Sequence, residues 1–160
     1  MAIRKSILPF LFFFVPVLAW CQPEPIVGKW KITVVEAGAR YDFRTDSITV
    51  PAAIRQGWQG SSDSSLAMGV IKMLAGEMAG GGYVFAADGT YREIKGEKLL
   101  RQGTYKIERY NDESMLTLVY ANTAKVETKD YLKYSFEGGQ LKMTMEEGGE
   151  KLTFYLEKMK

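Results

Sequence analysis

The sequence predicts a mainly β protein: an eight-stranded antiparallel up-and-down barrel with one helix inserted between strands 1 and 2. Three observations carry this expectation. Residues 83–158 divide into seven short segments of alternating apolar and polar residues, parted by turn residues, with no helical period among them. An eighth segment of the same kind, 26–35, stands ahead of them. Successive strands joined by tight turns pair antiparallel with their neighbours, and curling the sheet closed removes its free edges.

Residues 1–21 are set apart as a signal peptide, leaving 22–160 as one barrel domain. Arg4 and Lys5 form a positive n-region, and the apolar run 7–20 carries Pro9 and Pro16. The run is shorter than the roughly 20 residues that cross a bilayer, so no transmembrane span is expected after cleavage. Cleavage after Cys21 places Ala19 and Cys21 at the small-residue positions and makes Gln22 the N-terminus. The expected location is therefore periplasmic or secreted. A lipid anchor on Cys21 is the competing reading, disfavoured by the bulk of Trp20 where a lipobox carries a small residue.

Without residues 1–21, 19 cations face 19 acids. Formal neutrality argues against a nucleic-acid partner and against electrostatic docking to anionic lipid, both of which want a basic face. Cys21 is the only cysteine, so the mature domain rests on its core rather than on disulfides. There is no histidine. That removes the Ser-His-Asp and Cys-His mechanisms and every histidine metal site, leaving only carboxylate chemistry. Such work needs two carboxylates across a pocket, for instance Glu77 and Glu93, and spacing in sequence does not place them there. Neither an enzyme activity nor a cofactor nor a bound metal is expected.

The first strand puts Trp30, Ile32 and Val34 on one face and Lys29, Lys31 and Thr33 on the other, as a strand with one buried side does. From 36 to 82 the two-residue rhythm stops. Residues 40–50 suit an irregular extended segment, and 51–65 are polar and rich in Gly and Ser. Residues 64–79 then show a 3.6-residue period, with Leu66, Val70, Met73, Leu74 and Met78 on one stripe and Gly80-Gly81-Gly82 as the stop. Gly69 and Gly76 each weaken this helix by about 1 kcal/mol relative to alanine. Two roles are open for it, a fixed plug on the barrel or a movable lid whose methionines adapt to a changing surface.

Beyond the glycines, Ala87-Asp88-Gly89 suits a three-residue hairpin loop with Gly89 left-handed, which makes Phe85 and Tyr91 cross-strand neighbours. Gly138-Gly139 and Gly148-Gly149 mark two later hairpins. Between them Leu141, Met143 and Met145 share a face, and Leu152, Phe154 and Leu156 end the series.

With Gly28-Lys29-Trp30 on the first strand, followed by this strand count and order, the chain resembles a lipocalin-like (calycin-type) domain exported by Gram-negative bacteria. The resemblance covers residues 26–158. Asp130-Tyr131-Leu132-Lys133-Tyr134 is similar to a second lipocalin motif, although strands follow it here rather than a helix. In lipocalins the tryptophan closes the barrel floor under an arginine near the chain end. The last strand here offers Lys151 and Lys158 instead, so a different closure is expected. The resemblance implies a barrel that binds a small molecule, and transfers no individual ligand contact.

Such a barrel either fills with side chains or encloses one small ligand. The aromatic residues on the inward faces are Trp30, Phe85, Tyr91, Tyr105, Tyr134, Phe136 and Phe154. Arg101 and Arg109 share the parity of Tyr105, so one of them can turn toward the mouth, either as an anchor for an anionic head group or in a salt bridge. These residues and Met73 of the helix form the candidate ligand-binding set. The functional expectation is a monomeric, non-catalytic carrier of a small hydrophobic or amphipathic molecule, held beneath the 64–79 helix. The alternative is an envelope scaffold with a filled barrel that binds a protein partner through 37–62, where Tyr41, Phe43 and Trp58 lie.

Overall fold

The computed structural model describes residues 25–57 and 63–160. The signal-like segment, Cys21 and Trp58 lie outside the described residues. The strands are β1 (Gly28–Ala37), β2 (Ala39–Asp42), β3 (Ser47–Thr49), β4 (Gly81–Phe85), β5 (Thr90–Lys95), β6 (Lys98–Tyr110), β7 (Glu113–Ala121), β8 (Glu127–Glu137), β9 (Gln140–Glu147) and β10 (Glu150–Lys158). Two helices, α1 (Ala52–Gly57) and α2 (Asp63–Met78), fall between β3 and β4.

Strands β4 to β10 pair in sequence, each antiparallel to the next, and β1 closes the ring by pairing with both β4 and β10. This is the closed eight-stranded antiparallel barrel that the alternation predicts. The β2–β3 hairpin adds to the expectation. On the side of β1 away from β10, Gly28–Lys31 pair with β4, but Val34–Ala37 pair with β2. The segment read as irregular is thus a hairpin, and α2 lies between strands 3 and 4 counted along the chain. Around the wall it still separates the first barrel strand from the second. The hairpin forms because Asp42 Oδ1 accepts from the Arg44 amide at 2.9 Å and Asp46 takes a left-handed φ of 50°, which turns the chain tightly.

Parity along each strand decides what fills the ring. Trp30 and Ile32 face inward, and then a bulge between Ile32 and Val34 shifts the phase so that Val35 joins the core. Val34 is also buried but stands outside that cluster, a departure from the uninterrupted alternation. Phe85 and Tyr91 are cross-strand partners, and Gly89 has the left-handed φ of 82° that its loop demands. Opposite Tyr91 on β6 is Gly103, whose own partner on β7 is Tyr120. A Cβ at Gly103 would lie 1.9 Å from the Val119 carbonyl oxygen, so only glycine lets β6 approach β7 here.

The two ends of the barrel differ. At one end, where the β4–β5, β6–β7 and β8–β9 turns gather, aromatic residues form a floor. The Trp30 indole Nε1 donates to the Ile26 carbonyl at 2.7 Å and the ring packs 5.9 Å from Phe136. Phe85 and Tyr105 meet edge to face at 5.1 Å, while the Tyr105 hydroxyl donates to the Ala86 carbonyl. Leu116, Leu132, Leu141, Met143 and Leu156 pack above the floor, each 1% exposed or less. The other end, with the β5–β6, β7–β8 and β9–β10 turns, is the mouth. There α2 arrives, and Gly80 and Gly81 turn its end into β4.

Candidate functional site

Helix α2 lies at the mouth beside β2 and the β9–β10 hairpin and leaves an apolar groove of about 440 Å³ against the rim. Val35, Met145 and Leu152 form the barrel wall of this groove, and Ile71, Ala75 and Met78 the helix side. The spacing 71, 75, 78 is one face of a helix. Ala75 is buried at 4% exposure, and its small side chain is what leaves the room. Tyr41 of β2 and the charged pair Glu150 and Lys151 border the opening. A volume of this order lies within the roughly 300–1,000 Å³ of small-molecule sites, whose walls are mainly apolar.

The helix is tied down at its C-terminal end. Lys95 Nζ, from the end of β5, donates to the carbonyl oxygens of Glu77 at 2.8 Å and Gly76 at 3.4 Å. A cation at this position satisfies orphan carbonyls and complements the helix dipole. Glu77, a candidate pocket carboxylate, has a side chain 80% exposed and stands 4.0 Å from Lys95.

The inward face of β5 to β8 carries a polar cluster near the mouth. Arg101 is ion-paired through Nε to Glu93 Oε2 and through Nη1 to Asp130 Oδ2, the latter at 2.9 Å. Its guanidinium carbon stands 4.4 Å from the Tyr120 ring centroid, and the Tyr120 hydroxyl donates to Asp130 Oδ1 at 3.2 Å. Burial acts against the Arg101 charge, but the Glu93 carboxylate outweighs it and holds the guanidinium above its ordinary value. Burial also pushes the Tyr83 and Tyr91 hydroxyls well above the usual phenol range. The Tyr91 hydroxyl is buried and makes no hydrogen bond.

The candidate residues therefore separate into four places. Trp30, Phe85, Tyr105 and Phe154 are buried and build the core. Tyr91 is buried at the polar cluster, where Arg101 is paired with two carboxylates rather than left for an anionic head group. Half-buried Tyr134 and 40%-exposed Phe136 line a more polar cleft of about 580 Å³ with Lys133 and Lys142. Met73 is 63% exposed and Arg109 is exposed, so neither faces the interior. The Met73 placement follows from the rotation of α2, which turns Ile71 and Ala75 to the rim instead. Those two, with Val35, Met78, Met145 and Leu152, are groove residues outside the candidate set. The alternation did place Met145 and Leu152 on inward faces. Of the 37–62 segment, Phe43 packs on the core, Tyr41 borders the groove, and the two rings tilt together at 5.0 Å.

Fold and site together define a closed antiparallel barrel with a helix over its mouth and an apolar groove between the two. Comparison with protein-family models, with curated proteins and with solved structures finds no match to this chain. Among the described residues no group of three or more acidic, histidine or cysteine side chains is placed to hold a metal ion, and no helix is long and apolar enough to cross a membrane.

Proposed function

We propose that the protein is a non-catalytic carrier of a small hydrophobic or amphipathic molecule, exported from the cell and similar to the lipocalin-like domains in architecture. The observation that carries this reading is the groove of about 440 Å³ between α2 and the barrel rim. Its walls are aliphatic and thioether side chains, which reward burial of an apolar chain at about 25 cal/mol per Å². Lys151 and Glu150 at the border offer a polar end of the ligand somewhere to remain hydrated. At the floor Lys158 lies over Trp30, so the closure expected to differ uses a lysine where the lipocalin-like domains carry an arginine. The protein-binding alternative for 37–62 has less to stand on, since Phe43 packs on the core and Tyr41 borders the groove.

Native mass spectrometry of the gently purified protein tests the reading. A co-purified lipid-sized adduct is expected, and Ala75→Trp, which fills the groove, is expected to lose it. A wild-type protein that carries no adduct and takes up no added fatty acid or phospholipid would end the proposal.

A further inference from the structure

The polar cluster inside the barrel has an unbalanced charge. Two carboxylates, Glu93 and Asp130, share one guanidinium, Arg101, and the three side chains are 19%, 18% and 32% exposed. Among the described residues no other cation stands within ion-pair distance of either carboxylate. One negative charge is thus held on the inward face of a barrel otherwise filled with apolar side chains. A charge only partly open to water is costly unless a partner meets it. Arg101 occupies Glu93 Oε2 and Asp130 Oδ2, and the Tyr120 hydroxyl occupies Asp130 Oδ1. Among the described residues Glu93 Oε1 has no hydrogen-bond or ion-pair partner and is left as an acceptor.

A second observation comes from a neighbouring side chain. Tyr91 lies two residues before Glu93 on the same face of β5, is 1% exposed, and has a hydroxyl with no hydrogen-bond partner. Tyr91 and Glu93 stand on one face of β5, registered with Gly103 and Arg101 of β6, so the hydroxyl and the cluster share one wall of the barrel. A buried hydroxyl left unpaired is unfavourable, and its oxygen is a second acceptor on the same wall as Glu93. The surroundings are aromatic, with Tyr83, Tyr91 and Tyr120 from three strands.

We propose that this cluster is a subsite for a primary ammonium group. An ammonium ion supplies the missing positive charge and up to three N–H donors, which match Glu93 Oε1 and the Tyr91 hydroxyl oxygen. The tyrosine rings add the attraction of an aromatic face for a cation. A carboxylate or phosphate finds the opposite conditions, because Arg101 is already neutralised and the net charge is negative. A hard divalent cation wants six or more oxygens, and the carboxylates here are largely committed to arginine. The subsite stands apart from the groove under α2 and does not depend on it.

The test is a titration of the protein, labelled at its tyrosine rings, with n-butylammonium chloride and with sodium butyrate, followed by NMR. Saturable shifts of the Tyr83, Tyr91 and Tyr120 rings are expected with the amine and not with the acid. Asp130→Asn and Glu93→Gln are each expected to weaken the amine by roughly tenfold, as loss of one charge-assisted contact does. Glu93→Gln retains the Arg101–Asp130 pair, so it serves where Asp130→Asn does not fold. Ala75→Trp is expected to leave the amine response unchanged, which keeps this result separate from the fate of the groove. No saturable shift at these rings, an equal response to butyrate, or full amine affinity in both carboxamide variants overturns the assignment.

Discussion

Lys158 Nζ lies 5.4 Å from the centroid of the Trp30 ring, so the last strand lays its final cation over the tryptophan that begins the barrel. The contact depends on Gly28. Its φ of 139° belongs to glycine, and a Cβ there would meet Lys158 Cε at 2.7 Å. Gly28, Trp30 and Lys158 thus join the two ends of the sheet, where β1 pairs with β10 and Trp30 is registered with Lys158. Lys158→Ala is expected to lower stability by about 0.5–1 kcal/mol, the scale of an exposed cation–π contact. Trp30→Phe loses the bond to the Ile26 carbonyl and some ring volume, at about 1–3 kcal/mol. Urea unfolding at constant m reads both, and a Lys158→Ala midpoint equal to that of wild type removes the lysine from this account.

Alkaline pH is expected to act through Tyr83 and Tyr91. Burial raises both hydroxyls in the folded chain, so their contribution is fully present below the unfolded phenol value near 10 and falls as pH rises above it. In that range the unfolded chain releases the protons first, which favours unfolding by about 1.4 kcal/mol per pH unit for each tyrosine. The paired substitution Tyr83→Phe with Tyr91→Phe is expected to flatten the decline. Tyr91→Phe alone also removes an unpaired hydroxyl and is expected to gain about 1 kcal/mol at neutral pH. Denaturant midpoints measured from pH 7 to pH 11 check both; a wild-type curve no steeper than that of the double variant contradicts the first, and a Tyr91→Phe midpoint at or below wild type at pH 7 contradicts the second.

Lys95 makes the hold on α2 testable without touching the groove. Lys95→Ala removes the donor to the Glu77 and Gly76 carbonyls, an interaction of about 0.3–1 kcal/mol at a helix C-terminus. Amide hydrogen exchange is expected to speed up a few-fold in the last turn of α2, while β6 and β7 keep their protection. Unchanged exchange in α2 means that packing on the rim, not the lysine, holds the helix.

The chain's own pattern of residues carries most of the barrel. Alternation placed Trp30, Phe85, Tyr91, Tyr105, Leu132 and Phe154 on inward faces, and the paired glycines and Asp88-Gly89 placed the hairpins, because side-chain direction in a strand and φ in a turn are local properties. Adjacent-strand registers such as Phe85 with Tyr91 follow from loop length for the same reason. What lies outside local physics needed the closed ring. The bulge after Ile32 brings Val35 inward through pairing with β10, a strand more than a hundred residues away. Arg101 meets Asp130 across β7, a contact of 29 residues' separation that parity allows and does not specify. The rotation of α2 was settled by the shape of the rim, which takes Ile71 and Ala75 and leaves Met73 in water. A periodic stripe records that a helix has an apolar side, while the surface it meets chooses which residues of that side are covered.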